Sequence, residues 1–170
     1  MARFGLRVLP GGIEISLDGA TVLRHLPGEP FAAAGRGTGR FLMHHGNFRI
    51  SDRLDERVAL RRCEVLASDS SGALLRFSQE GHARLEARCA IEDGRLVVRF
   101  SSQDTTANRW WFTLPAEDGE HVYGCGEQFS FLDLRGRRFP LWTSEQGVGR
   151  NRASWVTWMA DAADHAGGDY

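Results

Sequence analysis

The sequence predicts an all-β, antiparallel fold, either a sandwich or a barrel. Three observations carry this. Residues 82–100 alternate in polarity with period two. Compact turn signals recur at near-regular spacing, at Asp18-Gly19, Ser68–Gly72 and Glu92–Gly94. No stretch carries the apolar period of a helix.

The elements follow in order. Phe4, Leu6 and Val8 alternate with Gly5 and Arg7, and Ile13, Ile15 and Leu17 alternate with Glu14 and Ser16. Asp18-Gly19 is a strong two-residue hairpin signal, and Ala20–Arg24 forms the return strand. A Gly/Pro-rich connection is expected from Pro27 to Gly39, with the next strands beginning near Phe41. Arg57–Leu66 reads as one strand, followed by Ala73–Phe77 across the Ser68–Gly72 turn. Ala83, Leu85, Ala87, Cys89 and Ile91 then fall on one face, with His82, Arg84, Glu86 and Arg88 on the other. Glu92-Asp93-Gly94 turns the chain into Leu96, Val98 and Phe100, which alternate with Arg95, Val97 and Arg99. This is a hairpin with one buried and one wet face. From Trp110 onward the composition changes. Trp110, Trp111, Tyr123, Phe129, Phe131, Phe139, Trp142, Trp155 and Trp158 crowd among glycines and polar residues. Strands joined by long loops are expected there, and such loops tend to carry function.

Composition narrows the chemistry. A chain of 170 residues buries roughly 70% of the surface its unfolded form exposes, enough for a core without disulfides or metal. The net charge of -1 gives no general electrostatic case for nucleic acid or an anionic membrane. All 21 basic residues are Arg. The absence of Lys excludes a Schiff-base lysine, a pyridoxal-phosphate lysine and a Walker A lysine. No apolar run has the length of a membrane helix or a signal peptide. Cys63, Cys89 and Cys125 are too widely spaced for a disulfide framework or a zinc site, although one bridge between two of them is compatible with the sequence. The cytoplasm is the expected compartment.

Several residues invite a chemical reading, each with a plainer rival. Gly124-Cys-Gly126 and Gly147-Val-Gly149 resemble the start of a dinucleotide fingerprint, but lack its third glycine and helix. Cys125 is a candidate nucleophile with His121 as the nearest His, against the commoner semi-buried strand cysteine. His44-His45 lacks metal spacing, because adjacent strand residues point to opposite faces. Arg135-Gly-Arg-Arg138 could contact a phosphate or sulfate, or be a solvated hairpin turn. Glu127, Asp133 and Glu145 could supply the two carboxylates of a glycosidase, or lie on the surface. The Trp/Phe set could stack on sugar rings, or fill the core. Residue chemistry alone therefore reaches an all-β domain with an aromatic, polar-decorated face.

The run from His121 to Arg150, His-Val-Tyr-Gly-Cys-Gly-Glu-Gln-Phe-Ser-Phe-Leu-Asp-Leu-Arg-Gly-Arg-Arg-Phe-Pro-Leu-Trp-Thr-Ser-Glu-Gln-Gly-Val-Gly-Arg, carries more information. It resembles the N-terminal region of glycoside hydrolase family 31. Tyr123–Glu127 matches the Tyr-Gly-x-Gly-Glu core of that family, and the longer run to Gly149 resembles its sulfoquinovosidase branch. Gly167-Gly-Asp-Tyr170 fits the same branch, with weaker similarity through Gly46–Asp52 and Asn108–Trp110.

This resemblance implies an N-terminal antiparallel β-sandwich of galactose-mutarotase type spanning residues 1–170, truncated before a (β/α)₈ barrel. In the family the chain runs on into a further strand, so the last sheet is expected to be short and open-edged. It implies membership of a retaining α-glycosidase acting on α-glycosides of sulfoquinovose, with α-glucosidase or α-xylosidase as the alternative substrate classes. In the family a barrel supplies the Asp nucleophile, the Asp acid and the sulfonate-binding Arg, Trp and Tyr. None of these matches a position here, so no catalytic residue, metal site or cofactor is expected in this chain. The loop after Tyr-Gly-x-Gly-Glu implies a pocket-mouth role for Glu127, Gln128, Phe129, Asp133 and Arg135. The rival is that they stitch sandwich to barrel. The expected partner is a carbohydrate substrate through the barrel, with no nucleic acid and no membrane. A stand-alone carbohydrate-binding sandwich is the alternative of another class.

Overall fold

A computed structural model of the chain describes residues 2–44, 47–124 and 132–137. It contains ten β-strands among these residues: β1 (Phe4–Leu9), β2 (Gly12–Leu17), β3 (Ala20–His25), β4 (Ala32–His44), β5 (Asn47–Ala59), β6 (Arg62–Ser68), β7 (Gly72–Ser78), β8 (Arg84–Glu92), β9 (Arg95–Ser101) and β10 (Arg109–Phe112). They form three sheets with orders β1-β2-β3, β10-β4-β5 and β6-β7-β8-β9. The paired strands run antiparallel, as the alternation predicts, and the architecture is that of a β-sandwich. Two compact units divide the chain, Met1–Thr38 with Arg53–Ala116, and Gly39–Asp52 with Glu117–Tyr170.

The turns form where the sequence places them. Asp18 and Gly19 both have positive φ (51° and 89°), as do Asp93 and Gly94 (50° and 76°). Two successive left-handed residues make the tight hairpin turn whose twist matches the flanking strands. Asp69 closes the third turn with its side chain, accepting from the Ser71 and Gly72 amides at 2.7 and 3.0 Å.

The core of the first unit draws on every sheet. Ile13, Ile15 and Leu23 meet Ala32 and Ala34, Leu75 and Phe77, and Leu85, Ala87 and Cys89 in one buried cluster. The predicted inward face of residues 83–89 is thus the buried one, while Ile91 is half-buried. Phe31 sits at the centre of an aromatic group, with ring centroids 5.3 Å from Phe77 and 5.5 Å from Phe112. Burial of each such large side chain contributes about 1.5–3 kcal/mol relative to exposure. His25 is the buried polar residue of this core. Its Nδ1 accepts from the Phe31 amide at 3.3 Å, and its Nε2 lies 3.2 Å from the Arg61 carbonyl. Both bonds form when Nε2 carries the proton. Cys63 and Cys89 are thiols without a disulfide.

Two expectations are corrected. Strand β4 begins at Ala32, inside the stretch read as a Gly/Pro-rich connection. Ala and Gly have low strand propensity, but here they lie beside large residues of β10. Ala33 pairs with Trp111, and Gly35 with Arg109. A Cβ on Gly35 would stand 2.2 Å from the Glu56 carbonyl and 2.9 Å from the Trp111 ring. The small residues make room for a close approach. Secondly, Arg57–Leu66 is not one strand. Strand β5 ends at Ala59 and β6 starts at Arg62, in different sheets. The break is fixed by Leu60, fully buried, whose amide donates to the Ala32 carbonyl at 3.0 Å. Arg61 reinforces it by donating to the Pro27 carbonyl at 2.6 Å.

Candidate functional site

The family-like run begins in the second unit, where segments 117–124 and 132–137 are described. Gly119 and Gly136 take positive φ (82° and 69°) in two tight turns. The first turn is closed reciprocally. The Glu120 amide donates to the Glu117 carbonyl at 3.2 Å, and the Glu117 amide to Glu120 Oε2 at 2.9 Å. The second is closed by the Arg137 amide on the Leu134 carbonyl at 3.0 Å. Leu134 is buried, and its amide donates to the Val122 carbonyl at 2.8 Å, tying the two segments together.

Asp133 and Arg135 complete this tie. Asp133 Oδ1 accepts from the amides of Val122 (3.2 Å) and Arg135 (3.0 Å), while Oδ2 lies 2.7 Å from His121 Nδ1. These donors hold the Asp133 carboxyl down at about 2, the His121 hydrogen bond contributing most. Arg135 Nη1 donates to the carbonyls of Glu117 (2.5 Å) and Glu120 (2.7 Å). Its Nη2 lies 3.9 Å from Asp118. The structure therefore brings these two predicted site residues together, with their polar atoms engaged by neighbouring backbone and by the His121 and Asp118 side chains. Glu127, Gln128 and Phe129 lie outside the described residues. So do Cys125, Glu145, Arg138 and the Gly147–Gly149 motif. His121 was singled out only as a partner for Cys125, and its pairing with Asp133 escaped sequence reasoning. Twelve residues separate the two, and no local spacing rule connects them. Tyr123 is exposed, its ring stacked on His121 at 6.0 Å.

Within the basic Arg135-Gly-Arg-Arg138 run, Arg135 is taken up by the Glu117 and Glu120 carbonyls. Bonds between residues 122 and 133 join the two ends of the chain that flank residues 125–131. The chemistry of the described part is bracing: an acceptor carboxylate and a donor guanidinium fix two loops without a regular element.

The antiparallel sheets define a β-sandwich domain. A family model described as the glycosyl hydrolase 31 N-terminal galactose mutarotase-like domain matches residues 11–153, and the chain belongs to that family. It is 43% identical over 150 residues to the sulfoquinovosidase of Escherichia coli K12, covering 88% of this chain and 22% of that protein. It is also 43% identical over 159 residues to the sulfoquinovosidase of Agrobacterium fabrum C58, covering 94% of this chain and 23% of that protein. Among solved structures it is similar to a GH31 family sulfoquinovosidase from E. rectale, in complex with the aza-sugar inhibitor IFGSQ. That similarity has a TM-score of 0.79 at 35% identity and covers 98% of this chain and 24% of the other. The chain thus spans under a quarter of the length of each of these relatives.

Proposed function

We propose that this chain is the N-terminal sandwich, residues 1–170, of a cytoplasmic retaining α-glycosidase that hydrolyses α-glycosides of sulfoquinovose. The observation that carries this reading is 43% identity to two sulfoquinovosidases along 88–94% of the chain. The domain packs on a catalytic barrel that follows it and lends the loop 125–135 to the mouth of the active site. No helix among the described residues is long and apolar enough to cross a membrane. Retaining hydrolysis needs two carboxylates flanking the scissile bond, and the barrel supplies both. Within the loop the roles divide. Asp133 and Arg135 brace its base through the hydrogen bonds described above. Glu127, Gln128 and Phe129 shape the leaving-group side of the pocket.

The test is hydrolysis by the whole polypeptide of the gene, assayed on chromogenic α-sulfoquinovoside, α-glucoside and α-xyloside. A clear preference for the sulfoquinovoside is expected, and cleavage of the neutral glycosides alone would overturn the reading. In the same enzyme Gln128→Ala is expected to change leaving-group preference more than melting temperature. A lowered melting temperature with unchanged kinetics would assign the loop to domain packing instead.

A further inference from the structure

The Trp-rich stretch that sequence analysis singled out contributes to a groove unconnected with the loop above. In the first unit Trp111, Thr113, Leu114, Pro115 and Ala116 form one side of a cavity of 620 Å³. Ala32, Ala33 and Ala59 line it from the β4 and β5 strands, and Arg24, Glu29 and Arg57 complete it. Its size lies within the range of small-molecule sites. Its composition is uneven: small apolar residues and an indole on one hand, three charged side chains on the other.

The two arginines are disposed for an anion. Arg57 stacks its guanidinium over the Trp111 ring, 4.7 Å from the centroid. Stacking occupies the flat face of a guanidinium and leaves its in-plane N–H groups as donors. Arg57 has no carboxylate partner within 4 Å among the described residues, whereas Arg7, Arg36, Arg62, Arg76 and Arg99 each have one. Arg24 lies opposite Glu14 in the β2–β3 register. The Glu14 carboxylate, however, is bonded to Arg7 at 2.9 Å. Arg57 thus lines the groove without a carboxylate of its own among the described residues, while Arg24 shares the Glu14 carboxylate with Arg7 and keeps N–H groups free of a direct ion pair. The Glu29 backbone is fixed by reciprocal bonds with Leu26, at 3.0 and 3.1 Å, and its carboxylate can accept from hydroxyl groups.

We propose that this groove is a binding site for an anionic saccharide, a sugar ring bearing one carboxylate or sulfonate. The acid group meets the Arg24 and Arg57 guanidiniums, one ring face lies on the alanine-rich wall beside Trp111, and Glu29 accepts ring hydroxyls. Small wall residues suit a flat ring, because they let it approach the backbone closely. The inference rests on the groove's own residues and not on the proposed glycosidase activity.

Glucuronate, glucose and inorganic sulfate are the probes, titrated into the full-length protein by calorimetry with the indole N–H resonance of Trp111 followed by NMR. Glucuronate is expected to saturate and to shift the Trp111 signal, with glucose weaker. Loss of one charge-assisted contact in Arg57→Gln or Arg24→Gln should weaken glucuronate by about tenfold. A Trp111 signal unmoved by glucuronate overturns the proposal, even if the ligand binds elsewhere. Unchanged affinity in both variants overturns it as well. Sulfate giving the same shifts at the same affinity would reduce the site to an anion contact and overturn the saccharide assignment. Neither arginine is buried, so both variants are expected to keep the wild-type melting temperature. Should one not, the Trp111 titration of the unmodified protein still decides the question.

Discussion

Asp133 and His121 meet through a 2.7 Å contact between Oδ2 and Nδ1, while the other Asp133 oxygen accepts two backbone amides. One carboxylate thus holds three donors from two loop segments, including the imidazole N–H. It also fixes the imidazole with its proton on Nδ1.

Asp133→Asn keeps the shape and removes the charge. Amide exchange at Val122 and Arg135 is expected to quicken on the order of tenfold, because the loop opens locally rather than with the whole domain. The melting temperature should hardly change. In the native protein the carboxyl is held down at about 2, so this anchor is complete above the unfolded Asp value near 3.9. It is lost as pH falls through about 2. Unaltered exchange at both amides in the variant would show that the carboxylate is not the brace.

The buried imidazole of His25 sets a different pH dependence. Desolvation lowers its pKa, only partly opposed by the hydrogen bond to the Arg61 carbonyl. The unfolded chain therefore takes up a proton near pH 6.5, before the folded protein does. Stability is full above that value and declines as pH drops below it, toward the depressed folded value. A melting temperature lower by about 3 °C or more at pH 5 than at pH 7.5 is expected. His25→Phe should reduce this slope. At pH 8 the same change should cost about 3 kcal/mol, because the Phe31 amide and Arg61 carbonyl lose their partner inside the core. Equal pH slopes in both proteins would contradict the assignment.

Gly35→Ala should destabilise by about 2 kcal/mol or more in urea denaturation, since the new methyl group forces the sheet apart. It would overlap the Glu56 carbonyl and the Trp111 ring, so tryptophan emission should shift with it. Gly28→Ala, which meets nothing within 4 Å, is the control and should be nearly neutral. A benign Gly35→Ala would mean that β10 does not press on β4 as described.

Burial pushes the Cys63 thiol up to about 12 and the Cys89 thiol to about 11. Thiolate is the reactive form, so neither should alkylate with iodoacetamide at pH 8 until the domain unfolds. Peptide-level mass spectrometry reads each site separately. Labelling of either thiol in the native protein at the rate of a small free thiol would contradict their burial.

The hairpins were legible in the sequence because each is a local event. Asp18-Gly19 and Asp93-Gly94 fix their own backbone, and the alternation around Ala83–Cys89 identifies its own buried face. Strand β4 was hidden because its reason lies elsewhere in the chain. Ala32–Gly35 form strand beneath Trp110 and Trp111, and nothing adjacent in sequence announces those partners. The β5–β6 break was hidden similarly, since the bonds that turn the chain at Leu60 and Arg61 end on Ala32 and Pro27. At the candidate site, motif resemblance identified Asp133 and Arg135 by position. Their bonding could not be read, because the acceptors Glu117 and Glu120 present backbone carbonyls, which carry no sequence signature.

Strand β10 imposes a schedule on the chain as it is made. Two of the sheets are meanders of consecutive strands, so each can zip up soon after its own residues exist. The sheet holding β4 cannot. Its outer strand arrives late, and the Asn108 side chain that brackets Gly37 comes from 71 positions further on. Closing so long a loop is entropically slow. Until Arg109–Phe112 dock, β4 keeps one side unpaired, while the two meanders already hold all their strands.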